Sequence, residues 1–250
     1  MRGLAQALAL LTRIRVPGGA TAPGGGTGWF PVVGALIGLV IAGIYALLYG
    51  WAPSLLGAVV AVSAGVWLTG ALHEDGLADT LDALGSGAVG SDALEIMRDS
   101  RLGTYGTLGL TVSVLWRVTA VASLPPVAAV AGLVTAHSLA RVGAVALMAT
   151  MTPARSDGLG TSWTSGLSNR DVSVAAVGGL IVGSIALGWW VTPLFALTGL
   201  VVLGVRWVSR RRIGGVTGDV LGACEQLSEM LTLGFVAALA WHGWSPWWLA

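Results

Sequence analysis

Apolar runs alternate with short polar interruptions from about residue 29 onward. Runs near 29–49, 53–72, 104–123, 126–150, 172–191, 194–208 and 229–249 approach the roughly 20 residues that carry a helix across a bilayer. They predict an all-α fold, a polytopic integral membrane helix bundle of about seven transmembrane helices. The links Gly50-Trp51-Ala52-Pro53, Leu124-Pro125-Pro126 and Thr192-Pro193 hold proline and no charge, as tight turns do. The alternate links carry arginine: Arg2, Arg13 and Arg15; Arg98 and Arg101; Arg155 and Arg170; and Arg210-Arg211-Arg212. The positive-inside rule puts that set, and the N-terminus with it, in the cytoplasm. The run Leu4 to Leu11, flanked by arginine and lacking a small-x-small cleavage pattern, predicts an interfacial segment over 1–28. No repeat or second composition emerges, so 1–250 is expected to be one membrane-embedded domain.

Composition sharpens this picture. Hydrophobic residues make up 55% and charged residues 10% of the chain, against roughly 25% charged in an average soluble domain, so the bilayer is the expected solvent. All 13 basic residues are arginine and the net charge is +1, which leaves no cationic surface for nucleic acid. Cys224 is a single cysteine and is expected to be a small buried apolar residue. Trp189, Trp190, Trp241, Trp244, Trp247 and Trp248 fall near span ends opposite the arginines, as headgroup anchors do. Gly34, Gly38 and Gly43 suit close helix packing in lipid. An oligomer is compatible with the pattern and not specified by it.

Candidate chemistry concentrates in one segment. Glu74, Asp75, Asp79, Asp82, Asp92, Glu95 and Asp99 are seven of the 12 acidic residues. If the second span continues as helix, Asp75, Asp79 and Asp82 stand at i, i+4 and i+7 on one face. Three converging carboxylates repel one another unless a cation relieves them, and all-oxygen donors select a hard ion such as Mg²⁺ or Mn²⁺. Glu74 is offset by about 100° from Asp75 and sits beside the site. His73 is either a further ligand or a hydrogen-bonded boundary residue.

Two further segments fall on the same predicted membrane face. Arg98-Asp99-Ser100-Arg101 leads to Gly103, Tyr105 and Gly106; arginine forks suit phosphate oxygens, and the glycines let backbone N–H groups approach an anion. A glycine-rich stretch, 214–225, follows the arginine triplet and lacks the Walker lysine. Its Asp219 and Glu225 are candidate ligands or bases. Arg117 and Arg141 fall inside spans, where they either line a pocket or pair with each other.

Together, Leu11-Thr12-Arg13-Ile14-Arg15-Val16-Pro17, the stretch Gly70 to Asp82, the stretch Met97 to Gly106 and Gly214-Gly215-Val216-Thr217-Gly218-Asp219 resemble the cobalamin synthase family, the adenosylcobinamide-GDP ribazoletransferases. The resemblance covers the whole chain; Arg15 stands where proline is expected, a departure confined to one loop. It implies a membrane transferase in which a hydroxyl of α-ribazole or its 5′-phosphate attacks the cobinamide-linked phosphate of adenosylcobinamide-GDP and GMP departs. It also implies a magnesium requirement. On this reading Asp75, Asp79, Asp82 and Glu74 hold metal, while Arg98 and Arg101 neutralise charge. Asp99, Asp219 or Glu225 completes the coordination or takes the proton. Arg13, His73, Ser100, Gly103, Tyr105, Gly106, Thr217 and Gly218 contact the corrinoid nucleotide and ribazole substrates. The enzyme would sit in the cell inner membrane with its site facing the cytoplasm.

Two other classes share some of these features. A CDP-alcohol phosphotransferase signature also starts with Asp-Gly but continues to Ala-Arg, whereas Leu77-Ala78-Asp79 follows Gly76 here. A cation-coupled transporter would carry its acids near the bilayer midplane, not in links.

Overall fold

A computed structural model describes residues 2–16 and 26–249; part of the expected interfacial segment therefore lies outside the described residues. Helices account for the architecture, and no strand occurs among the described residues. In chain order they are α1 Arg2–Leu11, α2 Phe30–Leu48, α3 Ser54–Thr69, α4 Leu72–Gly85, α5 Ser91–Ile96, α6 Thr104–Ala122, α7 Pro126–Thr150, α8 Leu159–Ser165, α9 Asn169–Leu187, α10 Val191–Arg212 and α11 Gly218–Trp241. Four stretches are long and apolar enough to cross a membrane: Thr27–Leu48, Pro126–Thr150, Asn169–Arg212 and Gly218–Trp241. A fifth is added if α3 and α4 count as one broken span. The expected seven are thus shown only as four or five. At 16 residues α3 alone is short, α6 carries Arg117 in its middle, and Asn169–Arg212 holds both α9 and α10 around the turn Gly188–Trp190.

The bundle is organised around α7, which is buried along most of its length and touches α2, α9, α10 and α11. Small residues permit that packing. A Cβ on Gly34 would stand 2.2 Å from the His137 carbonyl oxygen, and one on Gly38 would stand 2.4 Å from that of Leu133. Lipid supplies no hydrophobic drive between helices, so such close backbone approach is what joins them. Outward faces of α2, α3, α6 and α9 expose Leu39, Leu56, Leu115 and Ile181, the apolar surface expected of a lipid-facing wall.

Two expected boundaries move, and both movements make the site. The second span does not run on into the carboxylate segment. Gly70 (φ 71°) and Ala71 (φ 58°) take left-handed conformations, and the chain turns by 87°. α4 therefore leaves the direction of α3 and packs across α11 and α6. The last helix begins at Gly218, well before residue 229. Thr217 caps it, its Oγ1 accepting from the Val220 N–H at 3.3 Å. Two thirds of the expected glycine loop, Gly218 to Glu225, is therefore helix. The apolar pattern concealed this because Glu225, Gln226, Ser228 and Glu229 interrupt it, and all four are buried inside the bundle.

Candidate active site

The crossing of α4 over α11 creates the site. A Cβ on Gly76 would stand 2.8 Å from the Asp219 carbonyl oxygen, and one on Gly222 would stand 3.2 Å from His73 Cα. Only glycine permits this approach, and it sets Asp75 and Asp79 of α4 beside Asp219 of α11. A second strut brings a cation to them. The bridge between Pro153 and Val216, with Ala154 N–H donating to Val216 O and Val216 N–H to Thr152 O at 2.9 Å each, lays 152–155 along the start of α11. From there Arg155 Nη2 donates to Asp219 Oδ2 at 2.9 Å.

Asp79 records the crowding. Burial, then the neighbouring charges of Asp75, Asp219 and Asp82, push its carboxyl up to about 7 despite Arg155 nearby. Oxygen donors that resist ionising together are the donor chemistry of a hard divalent cation. Among the described residues no three His, Cys, Asp or Glu side chains stand close enough to hold a metal as arranged. The oxygen donors present have the chemistry of a hard divalent cation.

Beside the acids lies a cavity of about 250 Å³, lined by His73, Asp75, Arg155, Asp219 and Glu225 together with apolar residues that include Phe30, Leu72, Met148, Trp163 and Leu221. Its floor is a charged network in the bundle core. Glu225 Oε2 lies 2.9 Å from His73 Nε2 and 3.1 Å from Arg141 Nε. Arg141, fully buried, also pairs with Glu229, which meets His137 Nδ1 at 2.7 Å and Arg117 at 3.7 Å. Arg117 Nη1 donates to Glu74 Oε1 at 2.8 Å, and Gln226 Nε2 donates to the same oxygen at 3.3 Å.

This geometry rearranges several sequence expectations. Glu74 does not join the acids of the cleft; it faces the core and Arg117. Arg117 and Arg141 pair with glutamates and not with each other. Glu225 lines the cleft but is held between His73 and Arg141. The Gly103 and Gly106 N–H groups do approach an anion, but that anion is Asp82, which accepts both at 2.8 Å and so caps α6. Tyr105 lays its ring on Gly85, where a Cβ would stand 2.3 Å from Cγ. Arg101 grips Asp99, at 2.6 Å through Nη2, and that hydrogen bonding holds the Asp99 carboxyl below its usual range. Arg98 reaches Asp157 at 2.9 Å. Neither arginine lines the cleft, and Ser100 is exposed beside them. Arg13 sits at the α3–α4 corner, where its backbone N–H donates to Leu68 O at 2.8 Å and its Nε would be 2.9 Å from a Cβ on Gly70. Thr217 is spent on capping, and Gly218 lines the cleft.

Sequence reasoning missed Arg155, Trp163, His137 and Glu229 as site or support residues. Glu229 had a legible signal: with Glu225 it is an i, i+4 pair of acids entering an apolar run, opposite two arginines that also lie in apolar runs. Arg155 and Trp163 had none, since a loop reveals its target only once folded.

Membrane-length helices closed over a cleft in which carboxylates meet an arginine define a class, a multi-pass helical membrane enzyme. Comparison with known proteins narrows it. Residues 3–237 match the sequence profile of the cobalamin-5-phosphate synthase family, and the chain belongs to that family. It is similar to the adenosylcobinamide-GDP ribazoletransferases of Bradyrhizobium diazoefficiens (43% identical, covering 83% of this chain and 81% of that one) and Azorhizobium caulinodans (42%, covering 81% and 80%). That of Chlorobaculum parvum is 39% identical over 96% of both chains. No solved structure matches it.

Proposed function

We propose that this chain transfers the adenosylcobinamide-phosphate group of adenosylcobinamide-GDP to a ribose hydroxyl of α-ribazole, or of α-ribazole 5′-phosphate, and releases GMP. The observation that carries the reading is the meeting of Asp75, Asp219 and Arg155 at one cleft, with Asp79 beside them, in a chain of this family. The ribose oxygen forms a bond to the cobinamide-linked phosphorus, the bond from that phosphorus to the bridging oxygen breaks, and the electron pair leaves on the GMP phosphate. Asp75, Asp79 and Asp219 would hold Mg²⁺, or Mn²⁺ in its place, with Asp82 behind them fixing α4 against α6. The ion, when bound, supplies charge neutralisation at the diphosphate.

The chain's own groups do the rest. Arg155 leaves Asp219 for a phosphate oxygen, a planar fork meeting a planar acceptor. Glu225, oriented by His73 and Arg141, stands at the cleft wall as acceptor for the hydroxyl proton. The arginine-bearing links support a cleft on the cytoplasmic side of the inner membrane, with the helices of membrane length and near-length, α2, α3, α6, α7, α9, α10 and α11, as seven spans and the N-terminus inside.

GMP release from inside-out vesicles tests the reaction and the orientation together. Turnover should require Mg²⁺, be absent from right-side-out vesicles given the same impermeant substrates, and fall at least about 100-fold in Asp79→Ala, the scale of a lost transition-state contact. Full turnover in Asp79→Ala with chelator present would refute the reading.

A further inference from the structure

The helices that carry the acids each have a second face. Leu77, Leu81 and Leu84 fall roughly 180° around α4 from Asp75, Asp79 and Asp82, and with Val220 and Leu227 of α11 they border a cavity of about 810 Å³. α6 and α10 line its sides, each packed on α11. We propose that this cavity holds the acyl chains of an anionic phospholipid whose phosphate sits on Arg211, at the C-terminal end of α10.

The shape and lining suit hydrocarbon. No charged residue lines the cavity, so it offers nothing to a ribose, a phosphate or a metal ion. Along α11 the lining runs from Val220 to Leu231, about 16 Å at about 1.5 Å per residue. One leaflet of hydrocarbon is about 15 Å deep, half of the roughly 30 Å core. Leu227 and Leu231 are exposed on a helix that is otherwise largely buried, so the cavity is open along its length. Chains arriving from the bilayer leave no water behind, so the hydrophobic effect does not drive their entry. Selection then falls to the headgroup.

One end of the cavity is built to meet a headgroup. The stripe of α10 that lines it, Gly204, Val205 and Val208, continues by helical spacing to Arg211 and Arg212. Trp207 lines the cavity and is exposed, and the Arg211 guanidinium lies over its ring, 4.2 Å from the centroid. Arg212 Nη1 donates to Gly87 O at 3.2 Å, two residues beyond the glycine on which Tyr105, another lining residue, lays its ring. Tryptophan, tyrosine and two arginines therefore gather at the same end. Aromatic rings mark the headgroup level of a bilayer, and a basic cluster beside a span attracts anionic lipid. Arg210 and Arg211 are exposed, and neither pairs with an acid among the described residues. Thr80 adds a polar group: it is buried on the lining, and its Oγ1 has no hydrogen-bond partner, which leaves a donor for a glycerol ester carbonyl. Topology alone accounts for arginines after a span. It does not account for an apolar cavity that ends in them, or for a guanidinium held flat on the tryptophan at its edge.

Native mass spectrometry of the detergent-solubilised chain, delipidated and then titrated with phosphatidylglycerol or phosphatidylcholine, tests this. It needs no turnover, so its outcome is separate from that of the reaction proposed above. One phosphatidylglycerol per chain should be retained at least about fivefold more tightly than phosphatidylcholine, the worth of one arginine at an anionic headgroup, and Arg211→Gln should abolish that preference. Phosphatidylglycerol should also raise Tm of the unaltered chain in a concentration-dependent way. A Cβ on Gly204 would meet open space, so Gly204→Leu projects into the cavity without a clash and favours helix. That variant should keep or exceed the Tm of the unaltered, lipid-free chain while losing both lipids. Equal retention of the two lipids, a preference that survives in Arg211→Gln, displacement by inorganic phosphate at fixed ionic strength, or undiminished binding in Gly204→Leu would each overturn the assignment. So would sedimentation that shows a dimer broken by Gly204→Leu, which would give the cavity to a second copy of the chain.

Discussion

Single side chains in this protein are defined by what they are denied. Asp79 is denied full ionisation at neutral pH by burial and by three neighbouring carboxylates. A proton and a metal ion compete for such a group, so the sign of the pH effect follows. Below about pH 7 protonated Asp79 must lose its proton before it ligates, and above that range no such cost remains. The Mg²⁺ concentration for half-maximal activity should therefore rise as pH falls, by up to about tenfold per unit between pH 7 and 6, and level off above pH 8. A magnesium titration at fixed pH values checks this; a half-saturation point that does not move with pH would detach Asp79 from the metal. Asp82, by contrast, is satisfied by two N–H groups of α6. Hydrogen bonds to a charged acceptor are worth about 1.5–3 kcal/mol each, so its place is structural.

At the scale of elements, the α4–α11 crossing is the decisive contact. Gly76→Ala places a methyl group against the Asp219 backbone, where neither partner is a flexible side-chain tip. Forcing the helices apart should cost about 1–3 kcal/mol, lower Tm by on the order of 5 °C, and reduce kcat more than the stability loss accounts for, since Asp79 and Asp219 then separate. Thermal unfolding in detergent alongside turnover distinguishes this from a merely looser bundle, in which Tm would fall and kcat would hold. This crossing was half legible in the sequence. The i, i+4, i+7 spacing on a helix is found as α4, and Asp219 was singled out. The break at Gly70-Ala71 was not legible, because a left-handed alanine carries no signature and is held by its surroundings. Nor was the early start of α11, since run-length reading takes buried glutamates for a loop.

For the whole molecule, hydropathy located nearly every helix because lipid imposes one demand on all of them. It could not count the spans unambiguously, since α3 is short and α6 carries an arginine. The site lay partly beyond reach for a related reason. Its floor is made of partners on four different helices, Glu74, Arg117, Arg141 and Glu229 among them, and pairing across helices leaves no spacing to read. Arg98 and Arg101, prominent in sequence, turn out to be committed to Asp157 and Asp99 at the surface.

That buried network also dictates how the protein is made. An arginine or an acid at the centre of a helix costs roughly 2.5–3.5 kcal/mol on entering the bilayer. Arg117 in α6 follows its partner Glu74 of α4 out of the ribosome, but Arg141 in α7 emerges long before α11 brings Glu225 and Glu229. Within this network Arg141 must therefore wait for the last helix before it meets an acid. A chain stopped after Thr217 should show α7 accessible to protease or rapidly degraded, whereas the full chain protects it. Equal protection in the two would mean that Arg141 finds other partners during insertion, and that the order of synthesis leaves no mark on assembly.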